Sequence, residues 1–105
     1  MAQFTVYRNR NPKTKATFPL LLNVQSDLLE DLDTRVVIPM TRAATLAAKP
    51  LAHLMPSIEV ERERYLLLTQ QLAGIPKSAL GPAVADLVPH RTTIIAALDF
   101  LLTGV

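Results

Sequence analysis

The sequence contains no cysteine. Neither a disulfide framework nor a thiolate metal site can be built from it, and the reducing cytoplasm is its expected compartment. Glycine is scarce, at three residues in 105, too few for a Gly-rich loop that cradles phosphate. No GxGxxG, P-loop, HExxH or nucleophile-elbow pattern occurs. His53 and His90 are the whole stock of imidazole. No uninterrupted apolar run approaches the roughly 20 residues that span a bilayer. Met1-Ala2-Gln3 leads straight into an alternating stretch, without the basic segment and apolar core of a secretion signal. The expectation is a non-exported protein with no membrane segment, no metal and no cofactor.

What is present suits a folded chain. Half of the residues are hydrophobic and 19% are charged, the balance of a globular protein and not of a disordered one. The length allows one domain, residues 1–105, that buries roughly 60–70% of its unfolded surface in a single modest core. Eleven basic and nine acidic side chains leave a formal charge of +2, too little to imply nucleic acid directly. The distribution is less even. Arg8, Arg10, Lys13 and Lys15 lie in the first 26 residues, which hold no acid, whereas Asp27, Glu30, Asp31 and Asp33 crowd the stretch that follows. This is either two solvated loops of opposite sign or a basic loop that meets an acidic protein partner.

Along the chain, Gln3 to Tyr7 alternates polar and apolar residues with β-formers, the pattern of a half-buried strand. Asn9 to Thr14, with Asn11-Pro12, is a turn or longer loop. Phe18 to Val24 is nearly all apolar, as in a central strand covered on both faces. Arg35 to Ile38 is a short β-branched run that Pro39 closes or places at an edge. The alanines between Thr41 and Lys49 favour a short helix. Ile58 to Glu61 alternates like a strand. Propensity over Glu63 to Leu72 favours helix, but four consecutive apolar residues, Tyr65 to Leu68, also fit a buried strand. Gly74-Ile75-Pro76 ends that element, whichever it is.

The C-terminal segment reads as a helix, with Pro89 in its first turn and Gly104 at its end. At about 100° per residue, Leu87, Ile94, Ile95, Leu98, Leu101 and Leu102 make one stripe, the expected core face. Phe100 and Ala96 project from the opposite side. Burying such an aromatic contributes about 2 kcal/mol, so a second subunit or a partner is expected to cover it. Residues 92–105 contain no cation, although helix C-termini favour Lys or Arg. Asp99 and a terminal carboxylate add negative charge instead, leaving an electronegative, apolar tip for a cationic partner. The plainer reading is a frayed end with a C-cap glycine.

Three segments then become recognisable: VQSDLLEDLDTRVVIPM at 24–40, IPKSALGPAVADLVPHR at 75–91 and FLLTGV at 100–105. Their order and spacing resemble the CcdB family of toxin–antitoxin toxins, and the opening QFTVYRN fits as well. The resemblance covers essentially the whole chain. It implies an SH3-like barrel of the CcdB and MazF toxin type, mostly β with one C-terminal helix. A large antiparallel sheet, a small accessory sheet and a homodimer go with it. It reads Glu63 to Leu72 as strand, against propensity.

Functionally, the resemblance implies a poison of DNA gyrase that inserts between the two A subunits and traps the cleaved-DNA complex. A CcdA-like antitoxin neutralises such toxins and joins them in repressing the operon, so DNA is met only through the antitoxin. By position, the gyrase contacts are Leu28, Leu29, Asp99, Thr103, Gly104 and Val105. Two of these depart from the family pattern, which has tryptophan at Thr103 and asparagine at Asp99. Threonine cannot hold a cation by a cation–π contact, worth roughly 0.5–2 kcal/mol, but the Asp99 carboxylate can pair with that cation directly. The antitoxin contacts fall around Thr41 to Lys49, where Arg42 and Lys49 can meet an acidic tail.

Two rivals stand beside this reading. An RNA-cleaving toxin of the same fold needs an acid–base pair beside a phosphate-binding groove. His90, after Pro89 at the helix start, reads as a neutral or capping residue, and His53, between Ala52 and Leu54, as half-buried and structural. The 8–15 loop has no aromatic interleaving after Tyr7 with which to stack bases. The expectation is therefore a binding toxin with no active site. The second rival is a gyrase-inactive homologue that serves as an antitoxin sponge or co-repressor.

Overall fold

In the computed structural model, residues 2–45 and 51–104 are described. The alternating N-terminal stretch forms β1 (Thr5–Asn9), and the apolar run after it forms β2 (Leu20–Asn23). These two strands pair antiparallel, Val6 opposite Leu22 and Tyr7 opposite Leu21. All four residues of β2 are buried, as a strand covered on both faces requires. Leu20 and Leu22 face the main core with Val6, Ile38 and Met40, while Leu21 joins Tyr7, Val37 and Leu80 in a smaller cluster on the other face. Successive strand residues point to opposite faces, so one run of leucines serves both.

The strand that Pro39 is expected to close, or to place at an edge, neither stops there nor lies at an edge. β3 runs from Thr34 to Arg42 and pairs with β2 along Val37 to Met40. Its other side is shared by two partners. β6 (Ala73–Pro76) takes Thr34 to Val37, and β5 (Glu63–Leu67) takes Met40 to Arg42. The Pro39 carbonyl accepts from the Leu68 N–H at 2.9 Å. The Pro39 nitrogen therefore faces the same side, at the break between β5 and β6, where no ladder bond is demanded of it.

Two further expectations are corrected, and one strand appears for which no expectation was made. Gly74-Ile75-Pro76, read as a terminator, belongs to β6. β7 (Leu80–Asp86), a stretch of small residues with a proline and no strand pattern, pairs with β1, and Pro82 falls in an irregular part of that pairing. The helix expected between Thr41 and Lys49 is not formed over its described part: Thr41 and Arg42 end β3 opposite Leu66 and Tyr65, and Ala43–Thr45 is a single 3-10 turn. Pairing with β5 overrides the helix propensity of the alanines. The remaining residues, 46–50, lie outside the described ones.

The ambiguous stretch divides. Its first half is β5, paired with β4 (Ser57–Val60), and Thr69–Gln71 is a 3-10 turn. The strand order is β4-β5-β3-β2-β1-β7, with β6 joined to β3. All seven described strands thus belong to one hydrogen-bonded sheet, where the resemblance implied a main and an accessory sheet. Register shifts between β1 and β7 sharpen the twist there, and the sheet curls into a half-barrel. Its concave core receives helix α1 (Arg91–Thr103), which follows a 3-10 turn, Val88–His90, that contains Pro89.

Ile94 and Ala97 are the buried residues of α1, with Ile95 and Leu98 partly buried against the core. Leu87 is buried but precedes the helix. Leu102 leaves the expected stripe and is 74% exposed, because burial fades along the last turn. None of the described helices is long and apolar enough to cross a membrane.

One buried polar atom lacks a partner among the described residues, the hydroxyl of fully buried Thr69. An orphaned buried hydroxyl costs about 1–3 kcal/mol, and valine keeps the shape without it. Thr69→Val is expected to raise stability by about 1 kcal/mol and Tm by roughly 4–8 °C. A lowered melting temperature would show that the hydroxyl has a role that valine cannot replace.

Candidate protein-docking surface

Residues 27–33 form a loop that begins with a 3-10 turn, Asp27–Leu29, capped by the Ser26 side chain. Leu28 is 93% exposed and Leu29 49% exposed. An aliphatic side chain so fully in water is uncommon for a residue with no binding role when it is one of several together. Leu32, which sequence reasoning passed over, is a third exposed leucine of the same loop. Its only signal was a leucine set between two aspartates. Gln3 ties the loop to the N-terminal stretch, its backbone N–H donating to Asp27 Oδ1 at 2.7 Å.

The end of α1 is also exposed. Asp99 faces solvent, and its backbone carbonyl accepts from the Thr103 hydroxyl at 2.7 Å. Gly104 adopts the left-handed region at φ 77°, and its N–H donates to the Phe100 carbonyl at 2.9 Å. This is the C-cap geometry that glycine adopts without a steric penalty. A Cβ placed at Gly104 would meet nothing within 4 Å, so the glycine answers a backbone need and leaves the tip slim. Val105 lies outside the described residues. Among the described residues no hydrogen bond or ion pair joins this tip to the 27–33 loop.

Phe100 is exposed but not bare, since the His53 ring lies against it, with centroids 6.1 Å apart and planes tilted by 51°. His53 is itself exposed, not half-buried as expected, because its ring covers an aromatic at the surface. His90 precedes α1 without any side-chain capping bond, so of the two roles expected of it, neutral or capping, the capping one is not taken up. Tyr65 is buried in the core, and that burial, reinforced by the Glu63 carboxylate, raises its phenol above the usual range. It stays neutral and is no ready base. Among the described residues no three His, Cys, Asp or Glu side chains gather as metal ligands.

The positions expected to meet an antitoxin are less free than their sequence suggested. Thr41 is buried, and its hydroxyl donates to the Thr17 carbonyl at 2.9 Å. Arg42 pairs with Glu63 at 3.1 Å. Lys49 lies outside the described residues. Thr41 lines a depression of about 420 Å³ with Phe18, Leu68 and Gln71. Phe18 and Gln71 also line a second, more apolar one of about 240 Å³ over Leu21, Val37 and Ile75. The two share a wall, the basic 11–18 loop. Arg8 pairs with Glu61 at 2.9 Å, whereas Arg10, Lys13 and Lys15 are exposed and form no ion pair among the described residues. Exposed pairs of this kind contribute about 0–1 kcal/mol, so they neither hold the fold nor block a partner.

The family of the CcdB protein matches residues 3–104, nearly the whole chain. Among solved structures, the chain is similar to an endoribonuclease in complex with its cognate antitoxin from Mycobacterial species. The TM-score is 0.76, over 97% of this chain and 94% of that one, at 16% sequence identity. At that identity the likeness is one of fold.

Proposed function

Because the chain belongs to the CcdB family of toxin–antitoxin toxins, we propose that it poisons DNA gyrase through the exposed end of α1 and the Leu28–Leu29 turn. In this reading the protein binds the gyrase A subunit, traps the cleaved-DNA complex and has no active site of its own. It works as a homodimer. A CcdA-like antitoxin removes it from gyrase and joins it in repressing their operon, so that operator DNA is reached only through the antitoxin. The observation that carries the proposal is the uncovered tip: Asp99, Thr103 and Gly104 are all exposed at the end of a helix whose inner face holds it firmly to the core. A rigid, slim and electronegative projection suits a cleft between two larger subunits.

The structural likeness to an endoribonuclease is one of fold and gives RNA cleavage no residues here. Inducing the protein in cells separates the two activities. Growth arrest with gyrase–DNA cleavage complexes supports the proposal, and arrest with cut RNA and intact DNA overturns it. Arrest with neither, or no arrest, leaves the sponge or co-repressor role.

Asp99 makes the proposal quantitative. Its carboxylate forms no ion pair among the described residues, so it is available to a gyrase cation. Asp99→Asn is expected to weaken binding to the gyrase A subunit by about 1–3 kcal/mol, because a charge-assisted hydrogen bond becomes a neutral one. The free protein should gain slightly in stability, since a negative charge leaves the negative end of the helix. Calorimetric titration that finds the same affinity for both proteins would remove the charge pair from the interface.

A further inference from the structure

The exposure of the three leucines has a cause beneath them. Arg35 is only 3% exposed, and its guanidinium meets backbone carbonyls instead of a carboxylate. Nη1 donates to Leu32 O at 2.6 Å and to Thr34 O at 2.7 Å, and Nη2 donates to Glu30 O at 2.8 Å. Gln25, also buried, donates through Nε2 to Leu29 O at 2.9 Å and accepts from the Val36 N–H at 3.1 Å. Two buried polar side chains thus satisfy four carbonyls of the segment from Leu29 to Thr34. A buried guanidinium without its bonds is costly, so the loop is held in the one shape that supplies them. The space under the loop is then filled by polar groups. Leu28, Leu29 and Leu32 find no apolar socket inward and are turned out to water.

We infer that Arg35 and Gln25 are positioning residues that hold a three-leucine contact surface, Leu28, Leu29 and Leu32, in its outward-facing form. Glu30, Asp31 and Asp33 around it are exposed and form no ion pair among the described residues, which favours a partner surface that is apolar at its centre and cationic at its rim. For the identity of that partner the inference rests on the gyrase reading, and Leu32 joins the contact as a residue of its own. Its position in the loop is set by the Arg35 bond to its carbonyl, so its placement and the burial of Arg35 are one feature.

Amide hydrogen exchange and binding to the isolated gyrase A subunit test this together. Arg35→Lys cannot span three carbonyls, and it is expected to speed exchange of the Leu29, Glu30 and Leu32 amides about tenfold or more while the β2–β3 amides stay unchanged. Gln25→Met, a milder variant, should speed the same loop amides, together with the Val36 amide whose acceptor it removes, while the amides from Val37 to Met40 stay unchanged, and it serves if Arg35→Lys does not fold. In both variants, affinity for the gyrase A subunit should fall about tenfold with antitoxin affinity kept. Leu32→Ala should lower gyrase affinity about fivefold with loop exchange unaltered. Unchanged loop exchange in the folded variants would overturn the positioning role. Unchanged gyrase affinity in Leu32→Ala, beside a loss in Leu28→Ala, would overturn the three-leucine surface. A wild-type protein with no affinity for the A subunit would end the gyrase reading, while loop exchange would still decide the role of Arg35 and Gln25.

Discussion

Removing Gly104 and Val105 is expected to abolish killing while the fold and antitoxin binding persist. Contacts at the centre of an interface carry most of its binding energy, and a tip driven between two subunits is central by construction. The loss should reach about 100-fold or more in affinity for the gyrase A subunit, or about 2.7 kcal/mol. The structural cost is small. Gly104 is exposed and gives up one main-chain hydrogen bond, from its N–H to the Phe100 carbonyl, worth about 0.5–1.5 kcal/mol at most. The truncated protein should therefore melt within about 12 °C of the intact one. Full potency in a gyrase cleavage assay after truncation would end the wedge proposal, whereas an equal loss of gyrase and antitoxin binding would contradict the expected persistence of the fold.

Ile94→Ala is expected to have the largest effect on stability. Ile94 is fully buried, and of the residues of α1 only Ala97 is buried with it. Ile94 is the larger of the two fully buried side chains that seat the helix in the curled sheet, against the cluster that includes Leu22, Ile38 and Met40, with Ile95 and Leu98 partly buried beside it. Truncating such a residue costs about 2–5 kcal/mol, from lost transfer energy and the cavity left behind. Alanine recovers a few tenths of a kcal/mol through helix propensity, too little to matter. A loss of about 3 kcal/mol is a large part of the 5–15 kcal/mol typical of a domain, and should lower Tm by roughly 12–24 °C. Urea unfolding measures it directly. A change below about 1 kcal/mol would mean that Ile95 and Leu98 hold the helix without it.

Leu28 and Leu29 could be named from the sequence because the segments around them match a family. That they are bare to water could not, since two leucines in a row occur in any core. Their exposure depends on Arg35 and Gln25, which take the space beneath the loop and lie on its two flanks. Arg35 reads in the sequence as the first residue of a β-branched run, and nothing in that run marks its side chain as the support of a neighbouring loop. Leu32 was hidden for the same reason.

Local chemistry by itself determined the elements whose stability is local or strongly patterned. The alternation of β1, the apolar run of β2, the β4 stretch, the helix between the Pro89 turn and Gly104, and the αL glycine at its end could all be read residue by residue. A side-chain period or a backbone constraint acts within one turn or one strand. Tertiary structure decided the rest. β6 and β7 have little apolar patterning and exist because β3 and β1 offer them open edges. Pro39 stays inside a strand because its nitrogen meets the break between β5 and β6. The alanines after Arg42 give up their expected first helical turn because Thr41 and Arg42 are captured by β5. In each case hydrogen bonds to a distant segment outweigh a local preference of well under 1 kcal/mol per residue, and only the folded sheet brings that segment near.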